Sequence, residues 1–341
     1  MPVQLNDKIS YGTMSLTWKP EPMNPDDAAD MIHYVVSKYG VKFLNGGEFY
    51  GPDNANLKAF QRYFEKYNSP KNKELVVSIK GGSDLKSLRP DGTKESIDRS
   101  VKNVLAHFPL ENRPKILFET ARVDKNVPIE TTLSYINEYV QQGLLSGISL
   151  SETSGNTVLK ALKVANISCV ELELSFFTRD IVEDGVLKVC SENNIPIIAY
   201  SPVGRGMLTD YAVEHADELY ETTRKDLRSW MERFSEENYK ANIAACKKLY
   251  DFAHDVQKTS LEALALSWIL KVSEAKNLWG IEKVCKIIPI PSGSTKEKAD
   301  MNFGHLVELT DAEFEQLEKI YQNTTLQGSR ANAHMIQNML V

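Results

Sequence analysis

Two side chains in this sequence have the type and setting for acid–base chemistry. Tyr50 lies in Asn45-Gly46-Gly47-Glu48-Phe49-Tyr50-Gly51, and Lys80 follows a short apolar run, residues 75–79, just ahead of Gly81 and Gly82. A free phenol has a pKa of about 10, too high to release a proton readily near neutral pH, so a catalytic tyrosine needs a cation or other donor beside it. Residues 41–44 read as a short buried strand, and Gly46 and Gly47 let the backbone leave it sharply, which sets Tyr50 on a loop just past the strand's end. A lysine ending a strand before two glycines is odd for a plain buried strand. Taken alone, the pair also has a bland reading, a rim tyrosine and a solvated lysine, and the rest of the chain decides between the two.

The chain has 341 residues, 42% hydrophobic and 25% charged, which suits a globular protein able to bury a large core. That length fits either one large α/β barrel or two smaller domains. A formal net charge of -6 without a basic run argues against a nucleic-acid or anionic-membrane surface and for a small-molecule partner. The amino terminus has no basic start leading into an apolar stretch, and no window approaches a membrane span, so a cytoplasmic location is expected, with nuclear entry left open. Cys169, Cys190, Cys246 and Cys285 are widely scattered and read as buried thiols rather than a disulfide or zinc framework. The six histidines, His334 in the tail included, form no ligand cluster, so no metal is expected.

The elements that must position Tyr50 and Lys80 follow in order. Apolar runs predict strands at 9–14, 41–44, 75–79, 115–119, 147–150, 169–174, 195–200 and 286–290. Between them, helical periodicity falls at 28–36, 55–67, 94–108, 129–142, 156–165, 180–192 and 238–256. Eight such units with strands that do not alternate strictly imply a parallel sheet buried on both faces, closed into a (β/α)8 TIM barrel. The rival doubly wound fold would need a Gly-x-Gly-x-x-Gly turn between a strand and a helix, and none is present. The chain reads as a single domain, with a core of about 9–306 and a C-terminal helix and polar tail in 307–341. Two insertions depart from the plain barrel: a charged segment at 210–237, which could serve as a lid over the mouth, and an extra apolar helix at 260–272.

Two further stretches resemble a known family. Ala199-Tyr200-Ser201-Pro202-Val203-Gly204-Arg205-Gly206-Met207-Leu208-Thr209 is similar, almost residue for residue, to the strand-seven motif of the aldo-keto reductase superfamily. Pro289-Ile290-Pro291-Ser292-Gly293-Ser294-Thr295, followed by Asn302, resembles its strand-eight motif, and residues 147–152 and 171–180 resemble strands five and six. The resemblance spans nearly the whole chain, from residue 9 to about 305. It implies a barrel that binds NADPH across its mouth and transfers a hydride from the nicotinamide to a carbonyl carbon. Tyr50 would be the proton donor and Lys80 the residue that lowers its pKa. Tyr200 would stack on the nicotinamide, with Ser151, Glu152 and Glu171 at its carboxamide. Glutamine is usual at the position of Glu171, and a carboxylate there can accept but not donate. Ser201, Pro202, Val203, Gly204 and Arg205 would meet the pyrophosphate. Ser292, Gly293, Ser294, Lys298 and Asn302 would lie at the adenine and 2′-phosphate, with Lys298 favouring NADP over NAD.

The family's tetrad is aspartate, tyrosine, lysine and histidine; Asn45 stands where the aspartate sits and Ala121 where the histidine sits. Because side chains alternate along a strand, Glu119 would face the interior one layer below Ala121, near Lys80, and could compensate. Asn-Gly-Gly-Glu-Phe-Tyr-Gly together with Ala121-Arg122-Val123-Asp124 resembles the pyridoxal reductase branch, which implies reduction of the pyridoxal aldehyde to the alcohol of pyridoxine. The substrate's own phenol could share the missing histidine's task, and Trp18, Phe49, Ala121 and Phe177 would line its pocket. A monomer acting on a small carbonyl compound, pyridoxal first, is expected. A general aldehyde or ketone reductase and a non-catalytic NADPH-binding regulatory subunit remain alternatives.

Overall fold

The computed structural model describes residues 3–332. Eight strands form one sheet: β1 (Tyr11–Gly12), β2 (Phe43–Gly47), β3 (Val76–Gly81), β4 (Lys115–Thr120), β5 (Gly147–Ser151), β6 (Ile167–Glu173), β7 (Ile197–Tyr200) and β8 (Ile287–Pro289). They lie side by side in sequence order, and every neighbouring pair is parallel. The seam between β8 and β1 is closed by backbone hydrogen bonds from Ser10 N to Pro289 O at 2.9 Å and from Gly12 N to Pro291 O at 3.2 Å. At that seam a Cβ on Gly12 would stand 2.9 Å from Ile290 O, so glycine lets the strands approach.

Alternation along the strands sorts the side chains between two cores. One set, including Leu44, Val77, Ile79, Phe118, Leu150, Val170 and Leu172, packs with the surrounding helices. A smaller set, Leu5, Phe43, Val76, Leu117, Cys169, Ile198, Ile288 and Ile290, fills the floor of the barrel. Two residues further along β2, β3, β4 and β6 come Asn45, Ser78, Glu119 and Glu171, all buried. The interior therefore turns from apolar to polar toward the strands' C-terminal ends, the end at which such barrels carry their chemistry.

Four local features differ from the sequence expectations. The first strand is two residues long and leads into the short helix Met14–Thr17. The expected helix at 180–192 is broken into Asp180–Glu183 and Val186–Glu192 by Gly185, whose φ of 81° a helix cannot hold. The insertion at 210–237 is largely helical, with Asp210–Glu214 and Ala216–Thr223. An antiparallel hairpin, Lys276–Leu278 with Ile281–Lys283, precedes β8. Its two turn residues, Trp279 and Gly280, both have positive φ, the geometry that matches strand twist.

The last helix among the described residues, Asp311–Gln322, opens on a capping box between Thr310 and Glu313. The segment after it, expected as a polar tail, returns to the barrel and buries Arg330 and Ala331. Residues 333–341, with His334, lie outside the described residues. All four cysteines are buried thiols. Among the described residues no helix is long and apolar enough to cross a membrane.

Candidate active site

The loop after β2 is held by what its glycines permit. A Cβ on Gly46 would lie 2.4 Å from Asn56 Oδ1, and one on Gly47 would lie 2.9 Å from the Tyr50 ring. Gly47 N donates to Asn56 Oδ1 at 3.0 Å, and Asn56 Nδ2 donates to Thr13 and Thr17 hydroxyls, both at 3.0 Å. Glu48 is buried and accepts from Arg99 Nη1 at 2.8 Å, Ser100 Oγ at 2.5 Å and Asn103 Nδ2 at 2.8 Å. Gly51, at a φ of 98°, turns the chain away under Thr17. Tyr50 is thereby pinned over the mouth. Trp18 stacks on its ring at 5.1 Å, and Phe49 meets both rings edge-on at 5.3 and 5.7 Å.

Beneath Tyr50 lies Lys80, 4% exposed, with its ammonium 5.6 Å from the centre of the phenol ring. Strand register sets Lys80 beside Glu119 on β4, and Ser151 beside Glu171 on β6. Lys80 Nζ donates to Asn45 Oδ1 at 3.0 Å and to Glu171 Oε2 at 2.5 Å, and pairs with Glu119 Oε1 at 3.2 Å. Asn45 Nδ2 donates to Glu171 Oε2 at 2.5 Å and Glu119 Oε2 at 3.2 Å. Ser78 Oγ donates to Glu119 Oε2 at 2.8 Å. An aspartate at 45 would place a third carboxylate here; asparagine can donate to the two already present.

These contacts set the proton affinities. Burial pushes the Tyr50 phenol above its ordinary pKa, and the Lys80 charge and a hydrogen bond from it pull the other way. Burial alone would lower Lys80, but Glu119 and Glu171 outweigh it and hold the ammonium charged, well above its ordinary pKa. Glu171 is pushed up to about 8, first by burial and then by Glu119, against the pull of Lys80. A carboxyl expected at the nicotinamide thus spends its hydrogen bonds on the lysine and on Asn45.

The other expected residues fall around the mouth. Ser151 Oγ is buried and has no hydrogen-bond partner, which suits a carboxamide held at this point. After β7, Ser201, Gly204, Arg205 and Gly206 all take positive φ and curl the backbone into a tight turn, in which the Gly204 and Gly206 N–H groups donate to Ser201 O and Val203 O at 2.9 and 3.1 Å. The Arg205 guanidinium lies 5.8 Å from the Tyr200 ring centre. Pro202 and Val203 form the base of that turn, where Val203 O accepts from Gly206 and Leu208 N–H. Beyond β8, Gly293 O accepts from Tyr11, and Asn302 Nδ2 donates to Ser292 O at 3.1 Å. Ser294 is half-buried, and Lys298 is exposed on the first turn of helix Lys296–Phe303. Ala121 is buried at the end of β4, its N–H on Gly81 O at 3.0 Å. Phe177, past β6, packs edge-on against Phe176. The residues present fit a phosphate-bearing nicotinamide cofactor laid across the mouth.

Arg330 was not legible as a site residue. Its guanidinium donates to Glu152 Oε2 at 3.0 Å, Glu173 Oε2 at 3.1 Å, Asp180 Oδ2 at 2.6 Å and Tyr200 Oη at 3.2 Å. Glu152, at a φ of 48°, also accepts from Glu173 N at 3.1 Å. Arg330 follows a polar stretch and its partners lie far away in sequence, so spacing holds no trace of it. Glu173 could have been found, because it is two residues beyond Glu171 and so on the same strand face. Arg330→Met should lower the melting temperature and loosen Tyr200. The loss is expected at the low end of the about 3–5 kcal/mol for breaking a buried pair, because Arg205 remains 3.6 Å from Glu173. Chemical denaturation and Tyr200 fluorescence quenching by bound nucleotide would measure the two effects.

Comparison with known proteins identifies the family. Residues 8–322 match the model of the Aldo/keto reductase family. "Probable pyridoxal reductase 2" of Schizosaccharomyces pombe is 36% identical over 334 residues, covering 96% of this chain and 95% of that relative. A Saccharomyces cerevisiae relative, whose name assigns pyridoxal reductase provisionally, is 35% identical over 338 residues, 94% of each chain. Among solved structures, a glycerol dehydrogenase from Gluconobacter oxydans superposes with a TM-score of 0.72 at 20% identity, over 93% of this chain and 92% of its own, a likeness of fold. From its matched length, its barrel and these relatives, the chain belongs to the aldo/keto reductase family of oxidoreductases.

Proposed function

We propose that the chain is an NADPH-dependent pyridoxal reductase in which Tyr50, assisted by Lys80, protonates the developing alcohol. The observation that carries this reading is a buried phenol over a buried ammonium at the mouth of an aldo/keto reductase barrel. The names of its relatives in two yeasts support pyridoxal as the substrate. When bound, NADPH supplies the hydride. The chain's own residues do the rest. Ser151 Oγ, without a partner, would hold the carboxamide, and Tyr200, clamped by Arg330, would bear on the ring. The curled turn at 201–206 would hold the pyrophosphate, and Lys298 the 2′-phosphate, which favours NADPH over NADH. Trp18 and Phe49 offer flat walls to an aromatic substrate, and Ala121 leaves room where a histidine would donate to the carbonyl oxygen. A substrate that carries a phenol beside its aldehyde can supply that donor itself.

The test is the fall in NADPH absorbance on mixing purified protein with pyridoxal, run beside NADH and beside benzaldehyde. Consumption that is faster with pyridoxal than with benzaldehyde, and with NADPH than with NADH, is expected. Equal rates with both aldehydes would replace this reading with a general aldehyde reductase. Tight NADPH binding without turnover of either would overturn the enzymatic reading.

A further inference from the structure

The cluster under Tyr50 holds one ammonium and two carboxyl groups, and all three are nearly inaccessible: Lys80 is 4%, Glu119 1% and Glu171 2% exposed. Among the described residues, these are the charged and titratable groups that face Glu171. Lys80 approaches from β3, Glu119 from β4 and Tyr50 from the loop above. Cys169 lies two residues earlier on β6, held as a thiol by burial and the two carboxyls. Asn45 and Ser149 are neutral, and the floor beyond Cys169 is Ile198, Ile288 and Ile290. With both carboxyls ionised, the cluster carries a net negative charge in an apolar shell, which is costly. One proton makes it neutral.

We infer, on the basis of the reduction proposed above, that Glu171 is the proton store of this site: it carries that proton and passes it through Lys80 to Tyr50 after each turnover. The geometry is a line of contacts. Glu171 Oε2 lies 2.5 Å from Lys80 Nζ, and that ammonium in turn lies 5.6 Å from the centre of the Tyr50 ring. Glu119, with Ser78 and Asn45 donating to it, is the second carboxyl on Lys80, at 3.2 Å.

The steps balance. As the alkoxide forms, the Tyr50 O–H bond breaks and the alcohol O–H bond forms. The phenolate takes a proton from Lys80, breaking one N–H bond. Lys80 then takes the proton of Glu171, whose O–H bond breaks, and is again an ammonium. Glu171 is left ionised and recovers its proton from solvent before the next cycle. Glu171 touches neither substrate nor cofactor in this scheme and is a positioning residue that acts through Lys80. Family members with glutamine at this position would lack the store, so the inference concerns what this chain's glutamate adds.

The decisive measurement is the infrared difference spectrum of the purified protein between about pH 6 and about pH 10, a window centred on the Glu171 value of about 8. A carbonyl band of a protonated buried carboxyl should be present at the acid end and lost at the alkaline end. It should be missing in Glu171→Gln, which has no acid there, and in Glu119→Gln, where Glu171 becomes the sole partner of Lys80 and ionises. In the kinetic arm, the parent's kcat should fall as pH rises through about 8. Glu171→Gln should be about tenfold slower below that point, without that fall, and with NADPH dissociation constants within about twofold. No band in the parent, a band that survives Glu171→Gln, or the same alkaline fall in that variant would each overturn the inference. The kinetics are run with both pyridoxal and benzaldehyde. Failure of pyridoxal alone rejects the substrate reading, while an unchanged alkaline fall on either aldehyde rejects the proton store.

Discussion

Tyr50→Phe is expected to lower turnover by about a thousandfold, within the range a positioned general acid contributes, while NADPH binding and folding stay near those of the parent. The substitution removes one oxygen and leaves the ring. That ring is seated by Gly47, where a Cβ would already come within 2.9 Å, and by Trp18 stacked at 5.1 Å, so the loop has no reason to move. Burial raises the phenol's pKa, which means that the group is uncharged at rest and its loss strands no buried charge. Lys80 keeps Asn45, Glu119 and Glu171 as partners. The effect should therefore sit in kcat, with the dissociation constant for NADPH, read by fluorescence titration, unchanged within about twofold. Turnover within about threefold of the parent would mean that the proton comes from another group, and Tyr50 would revert to a packing residue.

The fold was legible because its signals are local and repeat. Eight apolar runs of strand length, each followed by helical periodicity, leave little choice but a parallel closed sheet, and the strands lie in sequence order. The misses fall where one backbone angle decides. Gly185 breaks a helix whose apolar pattern runs on either side of it. The hairpin at 276–283 turns on Trp279, a residue type seldom found at positive φ and so without a turn signal of its own.

The site was legible by halves. Tyr50 and Lys80 are read from a glycine-bounded loop and a strand end and Asn45 from the motif, while strand alternation projects Glu119 into space, and Glu119 stands 3.2 Å from Lys80. Glu171 was placed by motif at the nicotinamide, whereas its carboxyl lies on Lys80 and Asn45. A motif gives the position of a Cα; which way a side chain leans depends on the charge it meets, and here an ammonium across the barrel sets that direction. Arg330 lay outside both kinds of signal. Its partners, Glu152, Glu173, Asp180 and Tyr200, meet it because the chain end folds back over the mouth, a long-range closure without periodicity.

Lys80→Met should be damaging in stability as well as in rate, and the damage should grow with pH. The change keeps an unbranched side chain of similar length and removes the ammonium that three groups share. Breaking a buried ion pair costs about 3–5 kcal/mol because the partner is left charged and unsolvated, and here two carboxyls are left. They can escape that cost by protonating, which fixes the sign. Glu171 already has a folded-state pKa of about 8 against 4.5 for an ordinary glutamate, and loss of Lys80 removes both influences that lower it, the lysine's charge and its hydrogen bond. A carboxyl raised in this way contributes stability that is fully present below about 4.5 and is lost as pH rises through its folded-state value. For each extra proton the variant retains when folded, stability relative to the parent falls by about 1.4 kcal/mol per pH unit. Below about 8 Glu171 keeps its proton in both proteins, so the melting temperatures should differ there by a constant gap, and the gap should widen as pH rises through about 8 toward about 10, where the parent sheds that proton and the variant does not. A gap that is the same at both ends would mean that water or another cation reaches Glu119 and Glu171, and that the lysine is not what holds two acids together in the middle of the barrel.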